Sequence, residues 1–197
     1  MKNISFRANY PEKSEYNQYW FSEFTVVTIV EELVGLGAKK VAFLSTPSVF
    51  FCAQDREIEG TLFDVDETLA CKVQEPNRFV QFDFRISQEW PSLHEKFDAV
   101  LVDPPFITPE VMLTYANRAK SLIKRGGRVL WTSTAENESV LKHLFGNEMH
   151  AVRFRPSIPS LVYQYNLYIN YVPDKSSGFC KLNPEVSSTD EANIFSL

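Results

Sequence analysis

Phe97-Asp98-Ala99-Val100-Leu101-Val102-Asp103-Pro104-Pro105-Phe106 is the stretch that decides how this chain reads. An unbroken apolar run between two aspartates is the pattern of a strand covered on both faces, the habit of a parallel sheet. The run ends at Asp103, because a residue before proline is pushed out of the helical region and Pro104-Pro105 stiffens the exit. Asp103 therefore falls at the carboxyl end of a central strand, where open α/β sheets bind their ligands.

The four residues that follow the strand carry a chemistry of their own. Pro105 has no N–H, so the turn can present the Pro104 carbonyl as an acceptor beside the Asp103 carboxylate. Phe106 adds a ring face for a flat group or a cation. Two converging acceptors and a ring can hold a primary amine with its lone pair aimed at an electrophile. The plainer alternative is a strand followed by a proline turn, with Phe106 in the core.

On both sides the chain alternates strands and helices. Ser22 caps a helix whose apolar face is Val26, Val27, Val30, Leu33 and Val34, ended by Gly35 and Gly37. Lys39–Leu44 reads as the first strand, Gly60–Asp66 as the second and Arg78–Phe84 as the third. Pro109 opens a helix to about Lys124, and Arg128–Thr132 is the fifth strand. Glu136–Phe145 is a further helix, and His150–Arg155 with Val162–Val172 form an antiparallel hairpin. This succession gives a three-layer α/β sandwich around a doubly wound, mostly parallel sheet. Residues 1–17 read as a loosely held arm, 18–172 as the domain, and 173–197, rich in Ser, Asp and Pro, as a mobile tail.

The chain has 197 residues, 44% of them hydrophobic, and a net charge of −5. That size suits one domain with a substantial core. No apolar run is long enough to cross a bilayer, and Met1-Lys2-Asn3-Ile4-Ser5 lacks the apolar core of a signal peptide. Cys52, Cys71 and Cys180 are scattered, and His94, His143 and His150 show no ligand spacing, so no metal is expected. The acidic balance is unlike that of proteins that bind nucleic acid by neutralising phosphates.

Asp103-Pro104-Pro105-Phe106 resembles the (Asp/Asn)-Pro-Pro-aromatic signature of amino-group methyltransferases. Further likeness lies in Gln18-Tyr19-Trp20-Phe21-Ser22, Ser45-Thr46-Pro47-Ser48-Val49 and Tyr168-Ile169-Asn170-Tyr171. Over about residues 16–172 the chain resembles the N6-adenine-methyltransferase-like class I methyltransferases, above all those that methylate a lysine of elongation factor 1-alpha. The resemblance implies a Rossmann-like seven-stranded sheet of order 3-2-1-4-5-7-6 and S-adenosyl-L-methionine as cofactor, released as S-adenosyl-L-homocysteine. It implies that Asp103, Pro104, Pro105 and Phe106 are catalytic and that Trp20 and Phe106 face the substrate. Ser45, Thr46, Asp64, Asp66, Asp83, Phe84 and Asp103 would meet the cofactor. The loop at Ser45-Thr46 departs from most enzymes of this fold, which have glycine there.

Alternatives stand beside several of these roles. Ser48 equally caps the next helix, Asp66 equally caps a helix over Glu67–Cys71, and Asp83 equally belongs to a turn. The resemblance implies a protein substrate, elongation factor 1-alpha, in preference to nucleic acid, no membrane, and a monomer in the cytoplasm. Adenine N6 methylation and a non-catalytic module of the same fold are the competing readings.

Overall fold

The computed structural model describes residues 6–73 and 78–187. The far ends of the expected arm and tail lie outside them. Seven strands form one sheet: β1 (Lys40–Leu44), β2 (Glu59–Asp64), β3 (Phe79–Gln81), β4 (Phe97–Val102), β5 (Ile123–Ser133), β6 (His150–Ala151) and β7 (Asn166–Ile169). Their order is β3-β2-β1-β4-β5-β7-β6, with β7 antiparallel to both neighbours and the other pairings parallel.

Among the described residues five helices are numbered in chain order: α1 (Phe6–Asn9), α2 (Glu23–Gly35), α3 (Pro47–Ala53), α4 (Pro109–Leu122) and α5 (Glu138–Phe145). Ser22 caps α2 by accepting from the Thr25 N–H, as its place before the apolar repeat predicts. Thr108 does the same for α4, with Pro109 in the first turn, where its missing N–H costs nothing.

The two faces of β1 and β4 enter two separate cores. Val41, Phe43, Ala99 and Leu101 pack against α2 and α3 through Ile29, Val30, Leu33 and Phe50. Ala42, Leu44, Val100 and Val102 pack against α4 through Met112, Tyr115 and Ala119. A strand buried on both sides has no polar position to spare, which is why the defining stretch lacks alternation. Its two aspartates do different work. Asp98, at the entry, accepts from the backbone N–H groups of Lys39 (3.0 Å) and Lys40 (2.8 Å) and pairs with Lys124. It ties β1 and β5 to β4, leaving Asp103 at the exit for the cavity.

Several boundaries differ from the sequence expectation, among them the fifth strand, which begins at Ile123 directly after α4 and not at Arg128. The second strand stops at Asp64, because Asp66 turns away to cap a 3₁₀ turn over Glu67–Lys72. The third covers only Phe79–Gln81. In the closing hairpin only His150–Ala151 and Asn166–Ile169 pair, and the chain between them, with Pro156 and Pro159 unable to donate, leaves the sheet as a long loop.

The segments expected to be an arm and a tail both make specific contacts where described. Lys13 reaches Asp66 and Thr68, each at 2.8 Å. After Pro173, Phe179 is fully buried against Phe154, and Asn183 donates to the Arg155 carbonyl at 2.8 Å. A composition rich in Ser and Asp conceals those single anchoring residues.

Candidate active site

A cavity of about 350 Å³ opens at the carboxyl ends of β1 to β4, within the range of small-molecule sites. Its wall includes Ser45, Asp64, Asp83, Phe84, Asp103, Pro104, Pro105, Phe106 and Trp20, so most residues singled out from sequence converge there. Thr46 and Asp66 are not on the wall. Thr46 is buried at the start of α3, and Asp66 accepts from the Thr68 N–H, Lys13 and Gln18. The capping alternative for Asp66 is the one its contacts match.

Asp103 is fixed from two strands. Its N–H donates to the Leu44 carbonyl at 3.1 Å. Its carboxylate accepts from the hydroxyl of Thr132, brought alongside by the β4–β5 register that pairs Val102 with Trp131. Burial pushes the Asp103 carboxyl up to about 7, against the opposing Thr132 hydrogen bond. Asp103 is therefore poised to exchange a proton near neutrality.

The two acids of the β2 exit are driven apart by their surroundings. Burial raises Asp64 to about 7, although one oxygen accepts from the Asp66 N–H at 2.9 Å. Burial also acts on Asp66, but hydrogen bonds from Lys13, Thr68 and Gln18 outweigh it and hold that carboxyl below its ordinary value. Asp83 lies on the wall, yet Arg85 grips both its oxygens, at 2.8 and 2.7 Å, and keeps its carboxyl low. Any hydrogen bond from a ligand to Asp83 shares the carboxylate with that guanidinium.

Several wall residues carry no sequence signal of their own. Asn17, in the left-handed conformation that asparagine tolerates, donates its amide to the Pro105 carbonyl. Tyr115, buried on α4, places its phenol 2.7 Å from the Ser45 hydroxyl. Tyr163 and Tyr165 arrive from the loop before β7. Burial and then the Asp103 charge raise the Tyr165 phenol, so it stays protonated. Phe106 is 46% exposed and meets Phe84 edge-on at 6.0 Å, whereas Trp20 is buried and donates its indole N–H to the Tyr10 carbonyl at 2.9 Å. Asn170 sits far from the cavity, spanning the Val129 N–H and the Gly127 carbonyl as a structural clamp.

This donor set fits S-adenosyl-L-methionine. Carboxylates at successive strand ends suit ribose hydroxyls and an amino group, and Phe84 offers a face for a purine. Four acids on the wall against one arginine favour a cation.

A sheet of this order, with a carboxylate-lined cavity at its switch point, is the Rossmann-like methyltransferase architecture. The chain belongs to the family described as probable N6-adenine methyltransferase, which it matches over residues 12–173. It is 27% identical over 175 residues to the protein-lysine N-methyltransferase M142.8 of Caenorhabditis elegans, spanning 81% of this chain and 78% of that protein. It is 26% identical over 170 residues to the EEF1A lysine methyltransferase 1 of Homo sapiens, spanning 81% and 75%. Among solved structures, a branched-chain polyamine synthase from Thermus thermophilus superposes with a TM-score of 0.66 at 11% identity, over 84% of this chain and 60% of that one. A Burkholderia thailandensis N-methyltransferase with bound S-adenosylhomocysteine gives 0.52 at 15% identity, over 75% and 78%. These two likenesses speak to the fold.

Among the described residues no helix is long and apolar enough to cross a membrane.

Proposed function

We propose that this chain is an S-adenosyl-L-methionine-dependent protein-lysine N-methyltransferase acting on elongation factor 1-alpha, monomeric and cytoplasmic. The observation that carries the reading is the Asp103-Pro104-Pro105-Phe106 turn sharing one cavity with the acids of β2 and β3. Family membership supports methyl transfer, and the names of the curated relatives support a lysine acceptor.

The bound cofactor supplies an electrophilic methyl on a sulfonium. Asp64 and Asp83 orient the ribose and adenine, with Phe84 along the ring. The protein must then bring in a neutral amine. From a reference pKa of about 10.4, deprotonating a lysine costs roughly 4–5 kcal/mol at pH 7. An ordinary carboxylate beside the amine would oppose this by favouring the ammonium. Asp103, raised to about 7 by burial, holds the charge less firmly and can take the proton on its way to water. The Pro104 carbonyl and Phe106 orient the nitrogen, and the flanking tyrosines exclude solvent.

The test supplies radiolabelled cofactor and the protein to a cell lysate, treats parallel samples with nuclease or protease, and locates the label by mass spectrometry. Label on a lysine of elongation factor 1-alpha is the expected result. Label that disappears with nuclease, or that lies on adenine N6, refutes it in favour of nucleic acid. The net charge of −5 and the acid-rich wall favour a cationic acceptor over a phosphate backbone.

A further inference from the structure

We propose, on the strength of the cofactor reading above, that Tyr115 is a positioning residue: its phenol holds Ser45 in the left-handed turn by which the chain leaves β1 beside the cofactor. Ser45 has φ 55°, a conformation that residues other than glycine, asparagine and aspartate rarely adopt. Among the described residues only Asn17, Ser45 and Glu95 share it without being glycine, and two of those three line the candidate active site.

The turn has nowhere else to fall. The Ser45 N–H donates to the Phe63 carbonyl at 2.8 Å, and the Leu44 carbonyl accepts from the Asp103 N–H at 3.1 Å, so β1 is clamped by both neighbours up to this point. One residue later, Thr46 precedes Pro47 in the first turn of α3, and proline bars the helical region to the residue before it. Ser45 alone is left to redirect the backbone. This is the switch point of the sheet, between β1 and β4, where the backbone comes closest to a bound ligand.

Tyr115 supplies the support. It stands on α4, 1% exposed, its ring edge-on to Phe82 at 5.0 Å and tilted toward Phe84 at 6.4 Å. A phenol buried in such surroundings needs a polar partner, and it has one in the Ser45 hydroxyl at 2.7 Å. The contact joins α4 to the exit of β1 and draws the serine side chain toward the helix. A glycine could make the same turn unaided.

The test is a double-variant cycle with two readouts. One is amide exchange at Ser45, Thr46 and Ser48 in the ligand-free protein, and the other is S-adenosyl-L-homocysteine affinity by calorimetry. Tyr115→Phe should speed exchange and weaken binding, each by about tenfold for one lost hydrogen bond. In a Ser45→Gly background the same Tyr115→Phe change should cost nothing further, since the turn no longer needs the phenol. An equal loss in both backgrounds overturns the proposal, because the phenol would then meet the ligand directly, and so does no loss in either. Should Tyr115→Phe fail to fold, Ser45→Ala breaks the bond from its other end. It should then exchange faster and bind more weakly than Ser45→Gly, and equality between the two refutes the proposal. Wild-type protein that binds no S-adenosyl-L-homocysteine would sink the cofactor reading, while the exchange measurement would still decide this one.

Discussion

Cofactor binding should release a proton, and Asp64 is the group that releases it. Burial raises its carboxyl to about 7 in the free protein. Hydroxyl donors from a ribose stabilise the ionised form more than the neutral one, so binding favours it. At about pH 6 roughly one-tenth of such a carboxyl is ionised, and at about pH 8 roughly nine-tenths. Affinity should therefore fall about tenfold from the higher pH to the lower, or about 1.4 kcal/mol. Asp66 and Asp83, both held below their ordinary values, stay ionised through this window. Burial raises Asp103 to about 7 as well, so the same measurement on Asp103→Asn separates the two groups. Calorimetry with that ligand, repeated in buffers of different ionisation enthalpy, should count close to one proton released at the acid end and almost none at the alkaline end. Asp64→Asn should bind more weakly and lose the pH dependence, and Asp103→Asn should keep it. Wild-type binding that is independent of pH, or a dependence that survives Asp64→Asn, would refute this account.

Asp103→Ala should abolish methyl transfer and largely preserve cofactor affinity; turnover and binding measured on one preparation check this, and a tenth of wild-type turnover would remove Asp103 from the mechanism. Thr132→Val deletes the hydroxyl that steadies the Asp103 carboxylate, so the limb of the rate–pH profile belonging to Asp103 should move to higher pH with lower kcat, whereas an unmoved profile would make Thr132 purely structural. In the ligand-free protein the raised pKa of Asp64 means a folding contribution fully present below the unfolded value and lost as pH rises through about 7. Asp64→Asn should accordingly raise unfolding free energy relative to wild type above that pH and not in acid, by up to about 4 kcal/mol for a shift of about three pH units; a gain equal at both pH values would mean that Asp64 is not the group responsible.

The apolar stretch ending in Asp103-Pro104-Pro105-Phe106 pointed, in its own residues, to the fold and to part of the candidate site. A strand buried on both faces admits only apolar side chains, and the proline pair marks where it ends. Asp64 and Asp83 were singled out as acids at the ends of expected strands and by resemblance, and the strand order came from resemblance alone. Asp66 was expected at the cofactor because alternation continues past Asp64 in sequence, while in space Lys13 and Thr68 draw it aside to cap a turn. Asn17, Tyr115 and Thr132 were invisible because their partners are distant in the chain: Pro105, Ser45 and Asp103 lie 88, 70 and 29 positions away. No local pattern encodes such a pairing. Only the packing of α4 on the sheet, the path of the segment before α2 and the β4–β5 register bring those groups within hydrogen-bonding reach. The same packing strips water from Asp64 and Asp103 and lifts both carboxyls to about 7. Sequence thus determined which residues stand at the strand ends, and tertiary structure decided which of them titrate near neutral pH, since desolvation depends on everything packed around a group.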